Sequence, residues 1–413
     1  MFRAKSCPFI LLLVFILPIN LFCQDPSAHK PAFRNTRTVD ARVDVNYWSA
    51  KLDGMDLLNS ISGRELMFHA ESGKSIAVPK GYVSTEFSRD GSNLVITSVL
   101  PTNKSKVGDK ILRLQVYAAS GRLRFELQRN YVFDEPLPVM SVLDGDRGIV
   151  LGNSFTGIVN FYGRTGELIR AAELFAGSYP DLERILVIAA SGETDLVAVA
   201  ASRRSSSPLD SGAPDPSGEP TVFAFSVDGR EEWRKNLPGT TPGHIAVSPD
   251  GQFLLASSYA SDSKGNIDKH TALLDRRGQE LKEYDFLFRM AEFSHDSRFL
   301  IMANRSIARC IQLPGGEELW HQEVSRKQGM ITAVKIGEDP ATTFILVAKD
   351  EFKDRDFIFT NPQLLIFDRA GSQIQRIDFA GREFKRPALF LKSDGRKFGV
   401  GFRDRFMFFE PIN

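Results

Sequence analysis

The chain has 413 residues, with 52 Lys and Arg against 51 Asp and Glu, a formal net charge of +1. Such a balance gives no long-range pull on nucleic acid or an anionic membrane, so a partner recognised by bulk charge is excluded. Only three cysteines are present, and two fall in the first 23 residues, so no disulfide framework is available and stability must come from a packed core.

From the N-terminus, Arg3 and Lys5 precede an apolar run over residues 8–17, a basic region followed by a hydrophobic region of signal-peptide length. Residues 1–23 therefore predict export, with the mature protein secreted or periplasmic. Lipoprotein anchoring is disfavoured, because Phe22 stands before Cys23 where a small residue is required. Once the signal is removed, no apolar run approaches the ~20 residues of a membrane span. Residues 24–60 read as a polar leader without periodicity, and residues 61–413 as one repeat domain.

Two short apolar segments at 65–69 and 74–78, separated by Ser72-Gly73, look like outer strands without inner partners. A full unit then begins with alternating residues at 83–87, turns at Asp90-Gly91, returns at 93–97, and continues with runs at 111–116 and 123–127 around Ser120-Gly121. The same order recurs from Val139, Ile185, Ile245, Ala291, Ile331 and Ala388. Its clearest copy runs from His244 to Tyr284, with Asp250-Gly251 and Arg277-Gly278 as its two turns. Alternating apolar strands joined by Asp-Gly and Ser-Gly turns predict four-stranded antiparallel blades.

The fold class expected is all-β, a seven-bladed β-propeller closed by N-terminal strands pairing with the C-terminal blade. One ambiguity bears on the count. Residues 66–68 and 406–409 both suit the third-strand place, and the ring has eight blades if each belongs to its own.

Phe87-Ser-Arg-Asp-Gly91, Val247-Ser-Pro-Asp-Gly251 and Phe293-Ser-His-Asp296, each followed by an apolar strand, resemble the first hairpin of WD-repeat-like bacterial propellers. Asp228-Gly-Arg-Glu-Glu-Trp233 and Gly315-Gly-Glu-Glu-Leu-Trp320 resemble the last hairpin of quinoprotein repeats. The Trp-Asp and Gly-His signatures of true WD repeats are absent, and only two turns carry the Trp. The resemblance thus implies a fold and no quinone site, with Trp233 and Trp320 expected between blades.

Strand alternation places all the short turns on one face and the long insertions, 98–110, 202–220, 259–270 and 349–362, on the other. Long connections on a rigid scaffold are where binding concentrates. Residues 205–218 have the composition of a disordered segment. Residues 262–268 offer oxygen donors at alternate positions, but Lys264 stands where a donor belongs and no Glu closes the loop, so no metal is expected. No cofactor is expected either. Aligning the units on their first turns puts Arg184, His244, Arg289 and Arg386 near the starts of the innermost strands, at a channel mouth suited to a small anionic ligand.

No Gly-x-Ser-x-Gly elbow is present, and Cys310, within an apolar run, reads as a packed strand residue. The functional expectation is an exported, non-catalytic binding module that presents its loop face to a protein, peptide or envelope partner. A propeller enzyme of lactonase or hydrolase type, with its site at the channel mouth, is the alternative.

Overall fold

The computed structural model describes most of the chain from Phe33 to Ile412. Residues 1–32, 42–46, 52–56, 63–64, 69–74, 78, 90–91, 102–109, 119, 132–136, 146, 155, 176–182, 192–193, 205–219, 263, 338–341, 354–355, 393–394 and 413 lie outside the described residues. The expected signal segment, the Asp90-Gly91 turn and the Ser-Pro-rich insertion fall there.

The described strands form eight antiparallel sheets. Blade I is β2 (Tyr47–Lys51), β3 (Leu57–Ser62), β4 (Glu65–Phe68) and β5 (Ser75–Ala77). Blade II is β6 (Tyr82–Phe87), β7 (Asn93–Pro101), β8 (Lys110–Ala118) and β9 (Leu123–Tyr131). Blade III is β10 (Val139–Val142), β11 (Ile149–Asn153), β12 (Ile158–Tyr162) and β13 (Leu168–Glu173), and blade IV is β14 (Glu183–Ala190), β15 (Leu196–Arg204), β16 (Thr221–Ser226) and β17 (Glu231–Asn236). Blade V comprises β18 (Thr241–Val247), β19 (Phe253–Ser261), β20 (Ile267–Asp275) and β21 (Glu280–Tyr284). Blade VI comprises β22 (Met290–Phe293), β23 (Phe299–Ala303), β24 (Ile307–Gln312) and β25 (Glu317–Glu323). Blade VII has β26 (Met330–Ile336), β27 (Thr343–Lys353), β28 (Asp356–Phe367) and β29 (Gln373–Asp378), with β30 (Glu383–Phe384) added to β28. Blade VIII joins the two ends of the chain, with β31 (Leu389–Leu391), β32 (Phe398–Gly401), β33 (Arg405–Pro411) and, as its outer strand, β1 (Phe33–Asp40).

The ambiguity over blade number is thereby settled. Residues 66–68 and 406–409 lie in separate sheets, which is the eight-blade alternative. The expected leader is also corrected, because β1, β2 and most of β3 fall within residues 24–60. An outer strand needs few apolar residues. Of β1, only Phe33 is buried, so the strand carries no periodic signal. Phe33 is nevertheless well anchored: its ring meets Phe344 and Phe398 edge-on at 5.8 and 5.2 Å, and Gln375 exchanges two hydrogen bonds with its backbone, at 2.7 and 3.0 Å.

In blades III to VI the central strands carry the core and the outer strand is wet. β16 and β23 are wholly buried, whereas β13 and β17 are largely exposed. The turn chemistry explains the motif. In blades V and VI, Ser248 and Ser294 donate to Asp250 and Asp296 at 2.6 and 2.7 Å, while accepting the N–H of Phe253 and Phe299 at 2.9 and 3.0 Å. The Ser-x-Asp sequence thus satisfies the polar groups of a tight turn locally.

Blades pack face to face through an outer-strand aromatic and the following blade's second turn. Trp233 of blade IV donates its Nε1–H to the carbonyl of Arg276 in blade V at 2.7 Å, and Trp320 of blade VI stacks on Phe367 of blade VII at 5.5 Å. Trp48 of blade I donates to Phe402 O of blade VIII at 2.6 Å. Trp233 and Trp320 therefore take the inter-blade role expected of them.

Candidate functional site

The face carrying the first turns is stitched from blade to blade. Asn93 of blade II donates to Leu143 O of blade III at 3.1 Å, and Arg147 of blade III donates to Ser191 O of blade IV at 3.4 Å. Ser191 in turn donates to Pro249 O of blade V at 2.6 Å, and the Asp250 N–H reaches Ser297 Oγ of blade VI at 3.4 Å. These bonds occupy turn groups of blades II to VI.

On the opposite face two of the expected long loops, 259–270 and 349–362, are mostly strand, while most of 98–110 and 202–220 lies outside the described residues. β7 and β8 remain paired out to Pro101 and Lys110, and β19 and β20 out to Ser261 and Ile267, where Asp262 accepts the N–H groups of Lys264 and Asn266 at 2.9 and 2.8 Å. Residues 349–362, read from their mixed charge as a solvated loop, form the longest such arm. Register runs from Lys349 opposite Thr360 to Lys353 opposite Asp356. β28 holds one extra residue between Thr360 and Gln363, at Asn361 and Pro362, and Asn361 has a φ of 48°. This bulge bends the arm out of the blade.

The arm is braced along its length. Phe359 and Thr360 pair with Phe384 and Glu383 of β30, the Phe359 and Phe384 rings stack at 5.2 Å, and Lys385 holds Asp356 at 2.7 Å. Toward its tip, Phe352 and Phe357 face each other across the two strands with rings 5.1 Å apart, 68% and 63% exposed. They are the two most exposed large apolar side chains among the described residues. Sequence reasoning found the segment and missed the ring pair, which depends on cross-strand register.

Of the four expected mouth residues, two are brought together. His244 lies in β18, its ring 6.0 Å from that of Phe288, and the neighbouring Arg289 acts on it electrostatically. The surrounding protein, and secondarily the Arg289 charge, hold the His244 pKa below its usual 6.5. The ring is nevertheless open to solvent. Arg386 belongs to a different contact: its charge acts on Glu86 in β6, partly opposing a desolvation that raises the carboxyl pKa. The backbone of Arg184 is the second residue of β14, opposite Arg203, and its side chain lies outside the described residues.

Further down the channel the structure adds groups not anticipated. Arg89, after β6 in blade II, donates to Val247 O in blade V at 3.4 Å and to Phe293 O in blade VI at 3.3 Å. Its guanidinium thus spans the ring, and it lies 4.0 Å from Glu292, which Lys335 pairs at 2.9 Å. A sequence signal for part of this existed: Glu86-Phe87-Ser88 and Glu292-Phe293-Ser294 repeat the same acid before the same turn. Among the described residues no cluster of His, Cys, Asp and Glu has the makings of a metal site, and no side-chain hydrogen bond joins His244 to an acid or nucleophile.

Among the described residues, seven four-stranded sheets and one five-stranded sheet, with the last blade built from both chain ends, define a β-propeller. Among solved structures the chain is similar to the Dos1 propeller, with a TM-score of 0.56, 9% identity, and 92% of this chain and 95% of that one covered. It is also similar to the C-terminal WD40 domain of Sif2, with a TM-score of 0.50, 14% identity, and 93% and 99% covered. No family model and no curated protein matches the sequence. At these identities the likeness is one of fold.

Proposed function

We propose that this chain is an exported, non-catalytic binding module that holds a protein or peptide partner on its arm-bearing face. The observation that carries the reading is the braced β27–β28 arm with its exposed Phe352–Phe357 pair. Two aromatic rings held ready on a rigid support are a preorganised anchor, because little freedom is lost when a partner covers them. Asp350 lies on the same face of β27 as Phe352, and Lys349, Glu351 and Lys353 on the other, so the arm carries both signs of charge beside its apolar pair. The propeller fold, a scaffold for presenting loops, supports the same reading. Export to a secreted or periplasmic location rests on the basic and apolar character of residues 3–17.

The test starts with capture of partners from the producing cell's envelope and medium by the purified protein and by its Phe352→Ala/Phe357→Ala variant. Each captured protein is then purified and its affinity measured directly. Anchors of this kind carry about 2 kcal/mol or more each, so a single alanine is expected to weaken the complex roughly 30-fold. A partner that binds both forms equally would overturn the assignment of the arm. Fusion of residues 1–30 to a reporter active only outside the cytoplasm tests export separately.

A further inference from the structure

The mouth of the channel between β18 and β22 holds groups that the arm does not use. β18 carries one extra residue between Pro242 and Ile245, which pair with Ser258 and Ala256. A bulge of this kind re-aims a side chain, and here it falls on Gly243 and His244. The backbone of His244 is pinned on both sides: its N–H donates to Ser257 Oγ at 2.8 Å, and Ser257 donates back to its carbonyl at 3.2 Å. On the next blade the Arg289 N–H donates to Ala303 O at 2.8 Å, so this backbone is fixed as well. Both residues are exposed, and the His244 ring lies 6.0 Å from the buried ring of Phe288, the residue before Arg289.

Among the described residues Arg89, Arg289, Lys335 and Arg386 lie along the channel with Glu86 and Glu292, and the exposed Asp285 stands four residues before Arg289. Glu292 already has Lys335 and Arg89, and Glu86 lies in the field of Arg386. Among the described residues no carboxylate lies within ion-pair distance of Arg289. An exposed guanidinium with its backbone fixed, without a carboxylate of the described residues in ion-pair reach and close enough to an imidazole to act on it, is open to an anion from outside.

We propose that this mouth binds a carboxylate group, with Arg289 as the charged donor and the ring of His244 as a second hydrogen-bonding group. The planar fork of a guanidinium matches the two oxygens of a carboxylate, and a neutral imidazole adds a donor without a second full charge. Arg386 supplies attraction over a longer range. The carboxylate belongs either to a free organic acid or to an Asp or Glu side chain of a bound protein. The site is separate from the Phe352–Phe357 arm and stands or falls independently of it.

The experiment follows the His244 ring proton by NMR in the full protein, assigned with His244→Gln, at ionic strength held constant with sodium chloride. One arm titrates succinate, and the other titrates the capped tripeptide acetyl-Gly-Glu-Gly-amide. Saturable displacement of the His244 signal that weakens at least about ten-fold in Arg289→Ala supports the site. A response to succinate marks a free acid as its ligand, and a response to the peptide alone marks a partner's side chain. Arg289→Gln serves as a second variant that keeps a side chain of similar length, and the far-ultraviolet circular dichroism of both variants confirms folding. No saturable displacement by either probe, or displacement unchanged in both Arg289 variants, overturns the proposal.

Discussion

The inter-blade contact of Trp320 can be tested by placing one methyl group beneath it. Gly371 ends the turn between β28 and β29 with a φ of +81°, and a Cβ there would lie 2.5 Å from Trp320 Cγ. Gly381 has nearly the same backbone, with a φ of +70°, and nothing within 4 Å of the same added atom. Gly381→Ala therefore costs only the left-handed conformation, about 1–2 kcal/mol. Gly371→Ala costs that plus the displacement of a packed indole, about 1–3 kcal/mol more. At a urea slope of about 3 kcal/mol/M, an additional ~2 kcal/mol lowers the unfolding midpoint by roughly 0.7 M relative to Gly381→Ala. Urea unfolding followed by far-ultraviolet circular dichroism reads the difference, and a Trp320→Ala background, which removes the ring but leaves the Trp320 Cβ 2.8 Å from the added atom, is expected to shrink it. Equal midpoints for the two glycine variants, or a difference undiminished in Trp320→Ala, would refute the docking of Trp320 on blade VII.

Arg89→Ala removes a partly exposed guanidinium from two carbonyls, one on blade V and one on blade VI, and is expected to lower stability by about 1 kcal/mol in urea; Arg89→Lys, a point charge without the fork, is not expected to restore it. Cys310 is 2% exposed and burial pushes its thiol pKa up to about 12, so iodoacetamide at pH 8 is expected to leave it unmodified in the native protein and to label it in urea, as read by mass spectrometry. Because the folded-state pKa of His244 is lowered below 6.5, the unfolded chain binds more protons as pH falls from that value, and the group's contribution to stability is lost on that descent. Stability measured between pH 7 and 5 is expected to fall less steeply in His244→Gln than in the parent, and identical slopes would place His244 at its ordinary pKa.

Much of the blade pattern was legible because each blade repeats two local signals, an alternating apolar strand and a turn that satisfies its own polar groups. Ser248 and Asp250 show why the second signal is strong: their hydrogen bonds stay within six residues and need no tertiary context. Two parts of the ring were missed for different reasons. β1, the outer strand of blade VIII, buries only Phe33 and so carries no period, whereas between β2 and β3 of blade I the punctuation was there, at Asp53-Gly54, and was passed over because the short flanking runs show no clear alternation. The arms were read as loops because beyond Ala348 the residues of β27 are exposed; hairpin pairing holds them, and pairing leaves no composition signal. Arg89 was beyond reach altogether, since its partners lie 158 and 204 residues away.

The departures from regularity are informative in their placement. On the first-turn face, Ser191, Asp250 and Ser297 continue the repeat and tie neighbouring blades together, so a change there disturbs packing. On the arm face the inner strands β6, β18 and β26 each carry an extra residue near their starts, after Tyr82, Pro242 and Ile331, and β28 carries one at Asn361 and Pro362. A bulge interrupts the ladder, and a sheet keeps that cost where the redirected side chain or strand has a use. Val83 and Thr332, in the bulges of β6 and β26, are half-buried, whereas His244 in β18 is exposed and near enough to Arg289 to feel its charge. The bulge of β28 stands at the root of the arm that carries the exposed Phe352–Phe357 pair, so these two bulges, unlike the others, present groups that a ligand can meet.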